Sequence, residues 1–329
     1  MVRLSTIITH QSTINNHQNS QFKNMKSIKF PPPLKQGDLL EVIAPSGTIR
    51  GRELDGFQEG LEIWRKQGYN VKLGNNWNAG YGYLAGDDVT RRNALAKAWE
   101  NPDCKGILCV RGGYGSARLL ENWSWKPINQ HKWVIGFSDV TGLLWSLFQN
   151  GLSSVHGPVL TTLAQEPDWS QQRLFDFLTG KPLAPLQGKA WGEGVVTGVL
   201  LPANLTVATH LLGTPLCPSF DNVILALEDV NEAPYRIDRM LTQWRLMGVF
   251  NKVKGIALGR FSSCDVPSDV PSFTIEEILR DRLGDLNLPI VSDLPFGHDG
   301  VNPVLPVGSQ VELDGERGIL SFSAFALMT

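Results

Sequence analysis

The sequence predicts an α/β fold in two parts: a parallel sheet flanked by helices, then a smaller, strand-richer α/β half. Three observations carry this. Short apolar runs alternate with helix-period segments over about residues 36–156, the pattern of βαβ units and a parallel sheet. The chain has 329 residues, and at roughly 100–200 residues per domain that length suits two domains. Breaker clusters at Glu166-Pro167-Asp168 and Gly180-Lys181-Pro182 separate the halves. The expected division is an extension over 1–30, an N-terminal domain over 31–160, a linker over 161–190 and a C-terminal domain over 191–329.

Each element has a local reason. Pro31-Pro32-Pro33 is a stiff entry. Asp38–Ala44 reads as a buried strand, closed by Pro45-Ser46-Gly47. Leu54, Phe57, Leu61 and Trp64 recur at helical spacing, and Gly68 stops that helix. A short strand follows at Val71–Leu73. Asp87–Glu100 reads as a helix capped by Asp87 or Asp88. Lys105–Val110 is an apolar strand, Arg111–Ser116 a glycine-rich turn, and a helix starts at or just after Ser116. Trp133–Phe137 is a strand, followed by a helix over Asp139–Gln149 capped by Ser138 or Asp139. The second half holds expected strands at Val195–Leu200, Val223–Leu227, Gly255–Leu258 and Pro289–Ser292. Its helices are expected at Leu205–Leu212, Ile237–Met247 and Ile275–Leu283.

Composition removes several functions. Hydrophobic residues make up 42 % and charged residues 19 %, enough for an ordinary core. The net charge of −2 offers no bulk attraction to nucleic acid or anionic membrane. No apolar run approaches the ~18 residues a membrane span needs. Residues 1–24 lack a secretory pattern and hold no Asp or Glu. A transit peptide would also be rich in Arg, and only Arg3 is present, so a disordered or spurious extension with a start at Met25 fits better. Cys104, Cys109, Cys217 and Cys264 form no C-x-x-C pair and no zinc spacing. Cys104 and Cys109, five residues apart on a strand, face opposite ways. Free thiols are expected, which suits the cytoplasm. No metal or cofactor is expected.

The turn Arg111–Ser116 is the first candidate for chemistry. Its glycines allow positive φ and close backbone approach. A strand-to-helix turn also presents N–H groups that stabilise negative charge. Those are the needs of a nucleophile elbow with Ser116 as nucleophile. A phosphate-cradling turn or a plain tight turn fits the spacing as well. A serine needs a base. His10 and His17 lie in the extension, His131 precedes a strand, His156 ends one, and His210 is expected to be packed in a helix. His298, in Leu294–Gly300, follows a strand end; a solvent-facing loop histidine fits it equally. Glu228 ends the apolar run Val223–Leu227, where a carboxylate needs a partner. An imidazole would serve, as would Arg236 or Arg239, and Asp229 and Glu232 are rivals for the orienting role.

At this point the chain resembles the LD-carboxypeptidases and related microcin-immunity peptidases. The matching stretches are Val42–Gly47, Arg111–Ser116, Ile135–Thr141, His156-Gly157-Pro158, Asn204-Leu205, Leu227–Arg239 and Pro295–His298, in order over about residues 34–325. The resemblance implies a flavodoxin-like N-terminal domain and a β-rich C-terminal domain. It implies a triad of Ser116, Glu228 and His298, and favours Glu228 over Asp229 and Glu232. Gly113 and Ala117 are the candidates for oxyanion donors. It implies no metal, a murein-derived peptide as substrate, release of terminal D-Ala, and allows a homodimer. Pro202-Ala203 stands where the family commonly has Gly-Gly, an expected change in a loop near the cleft that bears on substrate range. Two alternatives stay open: the same triad acting on a toxic peptide–nucleotide conjugate, and a non-catalytic module holding an anionic ligand. Arg111 serves either the substrate's carboxylate or a surface or interdomain salt bridge.

Overall fold

A computed structural model describes residues 27–267, 269 and 271–323. Of the expected extension, residues 1–26 lie outside the described residues. Lys29 already belongs to the body, in a parallel bridge with Leu152.

The apolar runs become strands covered on both faces. β1 (Leu39–Ile43), β2 (Asn70–Leu73), β3 (Cys104–Cys109), β4 (Trp133–Gly136) and β5 (Ser154–His156) are all parallel, in the order 2-1-3-4-5. That is the flavodoxin-like order. Between them run α1 (Leu54–Lys66), α2 (Asp88–Glu100), α3 (Ser116–Leu120) and α4 (Thr141–Gln149). Phe57, Leu61 and Trp64 are buried on α1, as their spacing predicts. Asp87 caps α2 by accepting from Thr90 N–H at 2.7 Å. The helix expected from Asp139 instead begins at Thr141, after a 3-10 turn over Ser138–Val140.

The stretch read as a linker contains the helix α5 (Asp168–Leu178), followed by β6 (Leu186–Gln187) and β7 (Lys189–Ala190). Then come β8 (Val195–Asn204), α6 (Leu205–Leu211), β9 (Val223–Val230), α7 (Pro234–Leu246), β10 (Gly255–Ser262), α8 (Ile275–Leu283) and β11 (Ile290–Ser292). α7 starts at Pro234, three residues before the expected Ile237, because proline fits the first helical position. The chain ends its described course in β12 (Leu305–Val307), β13 (Gln310–Asp314) and β14 (Ile319–Phe322), none of which the sequence pattern anticipated.

β8, β9, β10 and β11 are parallel neighbours, and β7, β13, β14 and β6 extend that sheet antiparallel at its two sides. β12 leaves it and joins the first sheet, antiparallel to β5 with Leu305 opposite His156. The halves are thus stitched by a strand as well as by a core. One apolar cluster runs from β3 and α4 into β8, β9 and α7, with Trp145 of α4 donating to Pro202 O at 3.0 Å.

Pro202 and Ala203 are not in a loop. They are the buried end of β8, opposite Ala226 and Leu227 of β9. Pairing with β13 stops at Val199, so the N–H that Pro202 lacks has no ladder partner to lose. Among the described residues, no helix is long and apolar enough to cross a membrane.

Gly60 on α1 faces the chain after β5, and a Cβ there would lie 2.2 Å from Leu160 O. Alanine gains about 1 kcal/mol in helix propensity but meets fixed backbone. Gly60→Ala is therefore expected to lower stability by about 1–3 kcal/mol, read as a lower urea midpoint at unchanged slope. A raised midpoint would mean that the Leu160 segment gives way.

Candidate active site

The crevice of a 2-1-3-4-5 sheet opens at the carboxyl ends of β1 and β3, where the strand order reverses. β3 runs into the turn Arg111–Ser116 at that point. Gly113 and Gly115 hold φ of 117° and 123°, which L side chains avoid. A Cβ at Gly115 would also sit 2.6 Å from Arg91 Nη1. Arg91, fully buried on α2, donates to Gly115 O at 2.7 Å and Pro45 O at 2.5 Å, and pairs with Asp88. A buried cation therefore pins the turn from below.

Ser116 opens α3 and is fully buried. Its N–H donates to Asp139 Oδ2 at 2.8 Å, Ser46 Oγ donates to the same oxygen at 2.5 Å, and the Ser116 hydroxyl donates to the Asp139 carbonyl. Asp139 so joins the ends of β1, β3 and β4. Gly142 leaves room for the serine hydroxyl: a Cβ there would lie 2.8 Å from Ser116 Oγ. Arg111 turns back within its own half, to Glu53 at 3.1 Å and Thr48 O at 2.8 Å.

The second part of the site hangs on Glu228, fully buried near the end of β9. Its carboxylate receives His298 Nδ1 at 2.6 Å and Asn204 Nδ2 at 3.3 Å. Asn204 is the register partner of Glu228 on β8, and its side chain caps α6 through Val207 N–H. Its own N–H donates to Thr141 Oγ1 at 3.1 Å, beside Gly142. The His298 ring packs on Phe137, with centroids 4.6 Å apart. Phe137–Asp139 thus touches the imidazole with one residue and the serine with another. Between them Ser138 holds φ 61°, unusual for a non-glycine. Among the described residues, no group of three or more His, Cys, Asp or Glu side chains is placed to hold a metal ion.

Comparison with known proteins matches this arrangement in both halves. Residues 40–157 match the LD-carboxypeptidase N-terminal domain and residues 197–313 its C-terminal domain. The chain belongs to the LD-carboxypeptidase family. A carboxypeptidase homologue of Synechocystis sp. is 60 % identical over 297 residues, covering 90 % of this chain and 98 % of its own. The murein tetrapeptide carboxypeptidase of Pseudomonas aeruginosa is 32 % identical, covering 84 % and 93 %. Among solved structures, muramoyltetrapeptide carboxypeptidase from Oxalobacter formigenes superposes with a TM-score of 0.77 at 28 % identity, over 86 % of this chain and 97 % of that one. The microcin C7 self-immunity protein shares the fold at a TM-score of 0.79 and 22 % identity, over 89 % and 97 %.

Against the LD-carboxypeptidase pattern, Ser116, Glu228 and His298 all lie at this end of the fold, with exposed Gly113 and half-buried Ala117 flanking the serine. The Glu228–His298 contact is made; the Ser116 hydroxyl donates instead to the Asp139 carbonyl. Of the rivals, Glu232 pairs with Arg236 at 3.3 Å. Asp229 accepts from Thr206 N–H and Oγ1–H, Asn204 Nδ2 and Val230 N–H. His210 is not packed: it is exposed on α6, with Nδ1 at Thr206 O. Pattern reading missed Asp139, taken for a helix cap, and Arg91, which on a helix reads as a solvated charge. The signal for Asp139 lay in its position three residues past the end of a buried strand.

Two histidines here are driven in opposite directions. Burial disfavours charge on His298, but the Glu228 charge and hydrogen bond, with Asp229 and Asp299, outweigh it and raise its pKa. Burial pushes His156 down to about 4, and the charge of His298 adds to this. The signs for stability follow. The His298 contribution is complete below the ordinary histidine value and fades as pH rises through the raised one. The His156 contribution is complete above the ordinary 6.5 and is lost as pH falls toward about 4. Imidazole titration by NMR is expected to find His298 protonating above the ordinary value and His156 neutral at pH 5. Two overlapping ordinary titrations would refute this account.

Proposed function

We propose that this LD-carboxypeptidase family member is a serine carboxypeptidase. It cuts murein tetrapeptides at the L-centre of their diamino acid and releases terminal D-Ala. The observation that supports this most is the 2.6 Å contact between Glu228 and His298 Nδ1, which leaves Nε2 to take a proton. The named activities of the Pseudomonas aeruginosa and Oxalobacter formigenes relatives supply the substrate class.

The Ser116 hydroxyl turns from the Asp139 carbonyl toward His298. Nε2 takes its proton as Oγ attacks the amide carbon, and Glu228 holds the imidazolium. Because Ser116's own N–H is held by Asp139, oxyanion donors come from neighbours, and we assign Gly113 and Ala117. One such donor is worth ~3 kcal/mol. His298 then protonates the leaving amine of D-Ala, and water hydrolyses the serine ester. The four free thiols fit a reducing compartment, and the proposal places the enzyme in the cytoplasm, recycling wall peptides.

The protein is expected to release D-Ala from a murein tetrapeptide and to form a fluorophosphonate adduct on Ser116. Ser116→Ala or His298→Ala should lower kcat/KM by about 10⁴-fold or more. The acid limb of the wild-type rate should lie above the ordinary histidine value, since the base must be neutral. Glu228→Gln should move that limb to lower pH and lower kcat by about 10⁴-fold. Folded wild-type protein with no adduct and no D-Ala release would favour an anionic-ligand module. Cleavage only of an aminoacyl sulfamoyl nucleoside, the class bound in structures of the self-immunity protein, would favour the conjugate hydrolase.

A further inference from the structure

We infer that Glu166 is a positioning residue for His298, its buried carboxylate latching the far end of the loop that carries the imidazole. The inference rests on the serine-peptidase reading above only for its kinetic consequence.

The loop is fixed on its near side by β10. Leu294 N–H donates to Leu258 O at 3.0 Å, and Arg260 N–H to Phe296 O at 2.8 Å. His298 then lies between Gly297 (φ 149°) and Gly300 (φ 91°), so the backbone itself restrains it little. Nothing lies within 4 Å of a Cβ placed at Gly300. The chain regains the body at Asn302, which is buried. There the Asn302 N–H donates to Glu166 Oε2 at 2.8 Å, and Ser170 Oγ donates to the same oxygen at 2.6 Å.

Glu166 lies between β5 and α5, on the side of the chain that holds the nucleophile. Its bond to Asn302 therefore fixes the loop of the second half against the first. A buried carboxylate is a costly way to fill space. What it supplies is a charged acceptor, which holds an N–H more tightly and at shorter range than a neutral one. The far end of a glycine-flanked loop is where such restraint matters, because a base displaced by about 1 Å can lose 10²-fold in rate.

The test uses the full chain, with Glu166→Ala, the milder Glu166→Asp and Glu166→Gln, each confirmed folded by circular dichroism. Glu166→Asp falls one methylene short of its donors. Three readouts are taken: fluorophosphonate labelling of Ser116, kcat and KM on the tetrapeptide, and the His298 pKa by NMR. Glu166→Ala and Glu166→Asp should slow labelling and lower kcat by about 10–100-fold, with KM held within about twofold. The raised His298 pKa should fall toward the ordinary value as its contact with Glu228 loosens. Glu166→Gln should restore part of each, since its amide oxygen still accepts from Asn302 but as a neutral, weaker acceptor. Variants that melt earlier but keep wild-type labelling, kcat and His298 pKa would overturn the latch. If wild type is never labelled, the peptidase reading fails, and the His298 pKa still decides the latch by itself.

Discussion

A carboxylate with no access to water sits near the end of β9, and the two halves of the molecule meet around it. The strand leading to it is wholly apolar, so Glu228 must find its donors in the protein. It finds His298 from the loop after β11 and Asn204 from the end of β8. Asn204 passes the constraint on, since its N–H is held by Thr141 at the start of α4. Gly142, the next residue, abuts the Ser116 hydroxyl. Satisfying one buried carboxylate therefore places the imidazole, the β8 terminus and the helix beside Ser116 in one operation. Removal of either donor would leave the charge under-solvated, a larger penalty than the bond is worth by itself.

Ser116 has its own carboxylate partner. Asp139 takes two donors on one carboxylate oxygen and a third on its carbonyl. The arrangement ties three strand ends together, but it also commits the N–H at the start of α3. A helix N-terminus whose first donor already faces a carboxylate offers less to a developing oxyanion. Gly113, earlier in the turn, and Ala117, after the serine, are then the donors we propose. It also leaves the serine hydroxyl donating to the Asp139 carbonyl.

Much of this was legible in the residues. β3 and β9 are apolar runs that end in the residues that matter, and the glycine spacing at 112–115 announces a turn that ordinary side chains avoid. What stayed hidden depends on contacts far apart in sequence. β12 is three residues long and contains Pro306, too short to read as a strand, and it exists because β5 offers an open edge. Asp139 reads as a cap because caps are local, whereas its donors lie 23 and 93 residues away. His210 fell on an apolar stretch, but a seven-residue helix has one buried face and the histidine is on the other. Pro202 argued for a loop, and only the early end of the β13 pairing makes it tolerable in a strand.

The strongest physical discrimination between candidate bases comes from comparing two imidazoles that share a neighbour. Phe137 lies 5.9 Å from the His156 ring and 4.6 Å from the His298 ring, centroid to centroid. Both rings are in the interior, so burial works against charge on each. Only His298 has a carboxylate on its ring nitrogen, with Asp229 and Asp299 adding to the field. Asp229 itself is pushed up to about 6 by burial, and the charge of Glu228 adds to the rise. Its charged form adds to that of Glu228 in favouring the protonated imidazole. Groups of one type whose surroundings drive their proton affinities apart mark the acid–base residue of a site. By that criterion His298 is fitted to hold a proton, and His156 is fitted to stay neutral beneath it and leave the Glu228 charge to a single partner.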